Sequence, residues 1–264
     1  MSEQDYPIAA PGWAAIDAVC SRLHPGELPH QFTSQSAYDL DSRHPLPAIC
    51  VWEAAAAPAT GTPAHWHFVT YGLSELFEKS SPVRDVSGFG FELCFRLPRA
   101  SVDGVLEPMP PRWPLELLQG IARYVMTGHG ELDTGHLVDL GGPLWGEGGG
   151  ATAIEAVICV PDPQLGKMTT PLGSVLFLCL LGLCRDELVA MGGASDGATP
   201  ASRGPEGAAA AAEPSAPGGW ELSRKIGLCG ELAPAAITDM ARTSWRSDPR
   251  RAATFRRYAL GVLI

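Results

Sequence analysis

Ser87-Gly88-Phe89-Gly90-Phe91-Glu92-Leu93-Cys94-Phe95-Arg96-Leu97 is the stretch on which the reading of the fold turns. Phe89, Phe91, Leu93, Phe95 and Leu97 alternate with Gly90, Glu92, Cys94 and Arg96. Side chains on a strand point to opposite faces in turn, so this stretch predicts a strand with one apolar and one mixed face. The mixed face is expected to be solvated, with Glu92 and Arg96 free to pair with each other or with neighbours. Glycine weakens a strand interior and marks a bulge or the close approach of another backbone. Gly88 and Gly90 are therefore expected to serve backbone geometry.

Other elements follow from the same patterning. Trp13, Ile16, Val19 and Leu23 share one face of a helix from Gly12 to Leu23, which Pro25-Gly26 stops. Leu46 to Glu53 and His67 to Tyr71 read as strands, separated by an Ala/Pro/Gly/Thr-rich linker from Ala54 to Ala64. Pro114 opens the clearest helix, Pro114 to Thr127, whose apolar stripe is Leu115, Leu118, Ile121, Ala122, Val125 and Met126. Glu116 complements its positive end and Gly128 is placed to cap its far end. Gly135 to Leu140 alternates as an edge strand does, and a glycine-rich loop follows to Gly150. Ile154 to Val160 and Ser174 to Leu181 read as buried strands, with a short helix from Arg185 to Met191. The fold class expected is α/β (α+β): a single domain with a mixed, largely antiparallel sheet and packed helices.

The expected domain runs from 7 to 250. It is interrupted at 192–219 by an Ala/Gly/Pro/Ser tract that cannot bury enough apolar surface to order itself, and is followed by an arginine-rich and apolar tail at 251–264. With 264 residues, the chain can bury a substantial core. Its 29 acidic against 19 basic residues give a net charge of −10, which argues against nucleic acid as a partner, because phosphate binding calls for a basic face. The tail arginines are expected to dock on the protein's own acidic surface. Seven cysteines without a CxxC pair fit a reducing cytoplasm better than a disulfide framework. No run approaches the ~20 apolar residues of a spanning helix, and the acidic N-terminus does not have the pattern of a signal peptide, so no membrane partner is expected.

Catalytic chemistry is thinly represented. If Trp66 points one way on its strand, His65 and His67 point the other, and two imidazoles on one face can hold a metal with Glu92 or Asp85 as third ligand. That arrangement would suit a metal-dependent hydrolase, but no HExxH or CxxC run supports it, and hydrogen bonding between strand ends is the simpler role. Cys184 begins a helix, where a thiol's pKa falls, but Asp186 and Glu187 oppose that shift, and the apolar run it ends favours a packing role. There is no phosphate loop. Neither a cofactor nor catalysis is expected.

His65-Trp66-His67-Phe68-Val69-Thr70-Tyr71-Gly72-Leu73-Ser74-Glu75-Leu76, taken with the Ser87 to Leu97 stretch, resembles the Suppressor of fused family. The resemblance continues through Pro110-Pro111, Trp113-Pro114, Glu116-Leu117 and Gln119-Gly120, then Ala122-Arg123-Tyr124-Val125. It resumes at Asp162-Pro163-Gln164-Leu165, Thr170-Pro171, Gly182 to Leu188 and Ile237-Thr238-Asp239-Met240. Their common order carries the match. The resemblance implies a protein-binding negative regulator that clamps an extended peptide by strand addition, with Tyr124, His136, Leu137, Val138 and Asp139 as its partner surface. His136 stands where eukaryotic members have an aspartate, so peptide specificity does not carry over. The composition looks bacterial, and bacterial members are associated with toxin–immunity loci. The implied partner is then a protein or peptide such as a toxin, met in the cytoplasm.

Overall fold

The computed structural model describes residues 9–102, 104–128, 131–145, 150–191, 229 and 236–241. The 192–219 tract and the 251–264 tail lie outside the described residues.

Helix α1 (Pro11–Leu23) precedes β1 (His30–Thr33), β2 (Ala48–Ala54), β3 (His65–Tyr71) and β4 (Val86–Pro98). A small hairpin, β5 (Ser101–Val102) and β6 (Val105–Leu106), leads to α2 (Trp113–Met126). Then come β7 (Leu137–Asp139), β8 (Ile154–Pro161), β9 (Lys167–Thr170), β10 (Gly173–Cys184) and α3 (Arg185–Ala190). The main sheet has eight strands in the order β1-β2-β3-β4-β10-β8-β7, with β9 paired to β10 beside β8. Among the described strands only β4 and β10 run parallel, so the sheet is mixed and largely antiparallel, as the sequence indicates.

Both faces of the sheet are covered. Leu117, Leu118, Ile121 and Val125 of α2 pack on the face that carries Phe68, Leu93, Phe95 and Leu180. Ile16 and Cys20 of α1, with Leu188 of α3, pack on the opposite face against Trp52, Val69, Cys94 and Cys179. The expectation of a solvated mixed face on β4 is therefore corrected: Glu92 and Arg96 are fully buried. Nor do these two pair with each other. Glu92 Oε1 accepts from the backbone N–H groups of Gly72 and Ser74, each at 2.9 Å, and from Ser74 Oγ, while Oε2 accepts from Thr70 Oγ1. Burial pushes the Glu92 pKa up, and these donors act against that shift. One carboxylate thus anchors the turn that leaves β3.

Gly88 and Gly90 have φ of +56° and +85°. A Cβ on Gly88 would lie 2.6 Å from Leu73 O. Pairing with β10 slips here, advancing five residues on β4 for two on β10. The bulge breaks the alternation, which is why Phe89 is 44% exposed while Phe91 is buried.

Near the other end of these strands, Thr238 N–H donates to Arg96 O and Gly182 N–H to Thr238 Oγ1, so the 236–241 segment ties β4 to β10. Cys184 is the buried N-cap of α3, and its N–H donates to Glu187 Oε2 at 2.7 Å. Among the described residues no helix is long and apolar enough to cross a membrane.

Candidate functional site

Strand β7 closes one edge of the sheet, with Leu137 opposite Ile158, Val138 opposite Val157 and Asp139 opposite Ala156. Cys159 N–H donates to His136 O at 2.9 Å and Leu140 N–H to Glu155 O at 3.0 Å. Antiparallel pairs alternate between bonded and non-bonded, so His136 O, Val138 and Leu140 N–H face β8. His136 N–H donates to Asp133 O instead, and Gly135 N–H donates to Cys159 O in its place. Leu137 and Asp139 direct their backbone groups outward, where no described strand pairs with them.

The side chains around this edge hold it in place. Leu137 is buried in the core under α1 and α3, and Val138 in the core under α2. Asp139 Oδ1 accepts from Gly141 N–H at 2.9 Å and Oδ2 from Arg185 Nη1 at 2.6 Å. His136 Nδ1 accepts from Asp133 N–H at 3.0 Å, which places the ring proton on Nε2. Tyr124 is only 5% exposed and lies in the α2 core with Val138 and Leu140. Leu137 and Asp139 present outward backbone at this edge, and Tyr124 shares the α2 core with Val138 and Leu140.

The two histidines of β3 belong to a separate, buried cluster. Arg96 Nε and Nη2 donate to the two oxygens of Asp162, each at 2.9 Å, and Nη1 donates to Gln164 Oε1 at 2.6 Å and His65 Nε2 at 3.2 Å. Asp162 Oδ1 also accepts from Gln164 N–H and Leu165 N–H. His65 Nδ1 is 2.9 Å from Pro63 O. His67 Nε2 lies 3.4 Å from Asp162 Oδ2, and its Nδ1 is 3.0 Å from His24 Nε2. Burial opposes ionisation of Asp162, but the His67 contact and the Arg96 guanidinium outweigh it and hold the carboxyl well below the usual range. Burial and Arg96 depress His67 to about 4, and burial with His67 beside it depresses His24 to about 3.

A metal does not suit this cluster. His67, Cys94 and Asp162 place ligand atoms within 4.8 Å of one another, and His65 is not in that group. Both oxygens of Asp162 already hold a guanidinium, which a bound cation would have to displace or sit beside. The Cys94 thiol is pushed well above its ordinary pKa by burial, which disfavours the thiolate a metal needs. The His65 and His67 pairing with Glu92 or Asp85 is not formed. Each histidine instead joins the Arg96–Asp162 pair, and Glu92 anchors a turn.

Sequence reasoning missed His24 and the role of Asp162. The only signal was the Asp162-Pro163-Gln164-Leu165 string, in which an acid followed by proline ends an apolar run.

The model of the Suppressor of fused protein family matches residues 44–193. The Suppressor of fused homologs of Homo sapiens and Mus musculus are each 36% identical over 183 residues, which is 67% of this chain and 36% of theirs. The chain therefore spans about a third of the length of these curated relatives. Among solved structures, the Sufu–Fu complex superposes with a TM-score of 0.73 at 24% identity, over 93% of this chain and 97% of that one. Drosophila Suppressor of Fused also gives 0.73 at 24% identity, over 94% and 54%. These two likenesses establish the fold.

Proposed function

This chain belongs to the Suppressor of fused family, and on that premise we propose that it is a non-enzymatic binding module. It takes up an extended segment of a protein partner by strand addition on the outer edge of β7. The observation that carries this reading is the outward direction of the backbone groups of Leu137 and Asp139, on a strand whose side chains are locked into both cores. An unpaired, rigid edge offers an incoming strand donors and acceptors at little ordering cost. The solved Sufu–Fu complex supports partner binding as the kind of work this fold does.

In the same reading the chain is a bacterial regulator that sequesters its partner in the cytoplasm. The partner is encoded beside it and is a toxin where the locus is a toxin–immunity pair. Tyr124 supports the strand rather than touching the partner, and His136 sits at the start of the bound segment.

Calorimetry with the product of the adjacent gene tests the proposal. Proline at Val138 would break a bond to β8 and damage the sheet itself, so Asp139 is the position to change. Asp139→Ala removes the carboxylate and keeps the N–H, whereas Asp139→Pro removes both. The alanine variant is expected to bind within about threefold of wild type and the proline variant at least tenfold more weakly, a loss of about 1.4 kcal/mol. Equal affinities in the two variants would rule out the β7 edge.

A further inference from the structure

Two of the strings that carry the family resemblance, Gly182 to Leu188 and Ile237 to Met240, meet at one rung of the sheet, and neither takes part in the β7 edge. Pairing of β10 with β4 ends at Leu180 opposite Phe95. The bonds of a parallel pair are slanted, so a residue donates to the carbonyl just before its partner. Ser174, opposite Val86, donates to Asp85 O in this way. Phe177 turns its backbone groups to Asp162 and Gly166, so the odd residues of β10 face β8 and the even ones face β4. An unbroken ladder would therefore continue with Gly182 N–H donating to Arg96 O. Thr238 occupies that rung instead. Its N–H donates to Arg96 O at 2.9 Å, and its Oγ1 accepts from Gly182 N–H at 3.1 Å.

The chain around Thr238 passes through this seam from one face of the sheet to the other. Ala236 lies in the core under α1 and α3, where its carbonyl accepts from Cys179 Sγ at 3.6 Å, and Met240 packs on the α2 side. Gly182 makes the room, since a Cβ there would lie 2.9 Å from Thr238 Cγ2. The passage is strained: Ala236 has φ of +52°, a left-handed backbone that a residue with a side chain adopts at a cost. We propose that residues 236–241 are a latch with two states. In one, Thr238 is spliced between β4 and β10. In the other, the segment is withdrawn and Gly182 N–H donates directly to Arg96 O. Both groups of the seam are paired in either state, so withdrawal leaves no buried backbone group of β4 or β10 orphaned there. Strain at Ala236 favours withdrawal, and the burial of Ile237 and Thr238 favours the spliced state. The acceptor of the rung belongs to Arg96, whose side chain holds Asp162 and His65, so the latch adjoins the buried cluster.

Native-state amide hydrogen exchange of the full chain, resolved by residue with NMR, tests the proposal. Thr238 N–H is expected to exchange at least tenfold faster than Leu178 and Leu180 N–H, through an opening whose rate low urea leaves unchanged. Gly182 N–H is expected to stay as protected as Leu180 N–H, because it passes from Thr238 Oγ1 to Arg96 O. Thr238→Val removes an acceptor that only the spliced state uses, and should speed exchange at position 238 at least tenfold further. Ala236→Gly relieves the left-handed strain and should slow it about threefold. The wild-type comparison of Thr238 with Gly182 decides the matter even if Thr238→Val does not fold. Thr238 and Gly182 exchanging together would show a fraying segment without a second state. Thr238 exchanging as slowly as Leu180 would show a fixed staple. Either result would overturn the proposal.

Discussion

Arg96 on β4 and Asp162 at the end of β8 lie 66 residues apart and make two 2.9 Å bonds, with neither side chain exposed. Removing one member of such a pair strands a buried charge. Arg96→Met is expected to destabilise the fold by roughly 3–5 kcal/mol, and Asp162→Leu by a similar amount. The double variant Arg96→Met/Asp162→Leu should cost clearly less than the sum, because no unpaired charge remains. Urea denaturation of the three variants measures this, and additive losses would show that the pair is not the unit of stability.

Much of the frame was legible in local pattern. The apolar stripe and its proline and glycine punctuation delimit α2, and the apolar runs Ala156 to Val160 and Val175 to Leu181 mark β8 and β10. Strands β1 and β9 were not legible, because His30-Gln31-Phe32-Thr33 and Lys167-Met168-Thr169-Thr170 lack a hydrophobic alternation. The mixed face of β4 was misread for a physical reason. Polar residues alternating on a strand are ordinarily solvated, and only tertiary partners distant in sequence, the turn after β3 for Glu92 and Asp162 with Gln164 for Arg96, accompany their burial. Likewise, alternation indicated an edge strand around Leu137 to Asp139, but which residues point outward depends on the register to β8, which no local pattern encodes.

His24 and His67 make stability depend on pH. Both folded-state pKa values, about 3 and about 4, lie below the ordinary 6.5, so below pH 6.5 the unfolded chain binds protons that the native state refuses. Their contribution is fully present above about pH 6.5 and is lost as the pH falls towards 4, at about 1.4 kcal/mol per pH unit for each ring. Asp162, depressed below the usual carboxylate range, adds a further loss below about pH 4. Glu92 is raised by burial and acts in the opposite sense, so its contribution is lost as the pH rises. The diagnostic is therefore the difference between wild type and His67→Gln in urea unfolding at pH 7, 6 and 5. The variant should show the shallower dependence, and identical slopes would mean that the ring does not titrate on unfolding.

Two glycines with opposite surroundings should respond oppositely to alanine. Gly88 has positive φ and no room for a Cβ against Leu73 O, so Gly88→Ala should destabilise by more than about 1 kcal/mol. Gly120 lies inside α2 with nothing within 4 Å of its missing Cβ, so Gly120→Ala should stabilise by about 0.5–1 kcal/mol. Thermal or urea melts decide both. A neutral Gly88→Ala would mean that the bulge relaxes around the methyl group.

The seven thiols supply a test of the whole core. All are buried, and burial pushes Cys50 and Cys159 up to about 12. A thiol held protonated and out of solvent reacts only when the structure opens. Native protein at pH 8 should therefore take up a maleimide at least about a thousandfold more slowly than the unfolded chain, since the open state is that rare in a stable domain. In urea all seven cysteines should label quickly. Mass spectrometry of peptides after brief native labelling identifies any exception. A single thiol labelled quickly at Cys184 would revive a nucleophilic role for the start of α3, whereas uniform protection leaves that cysteine as a packing residue and helix cap.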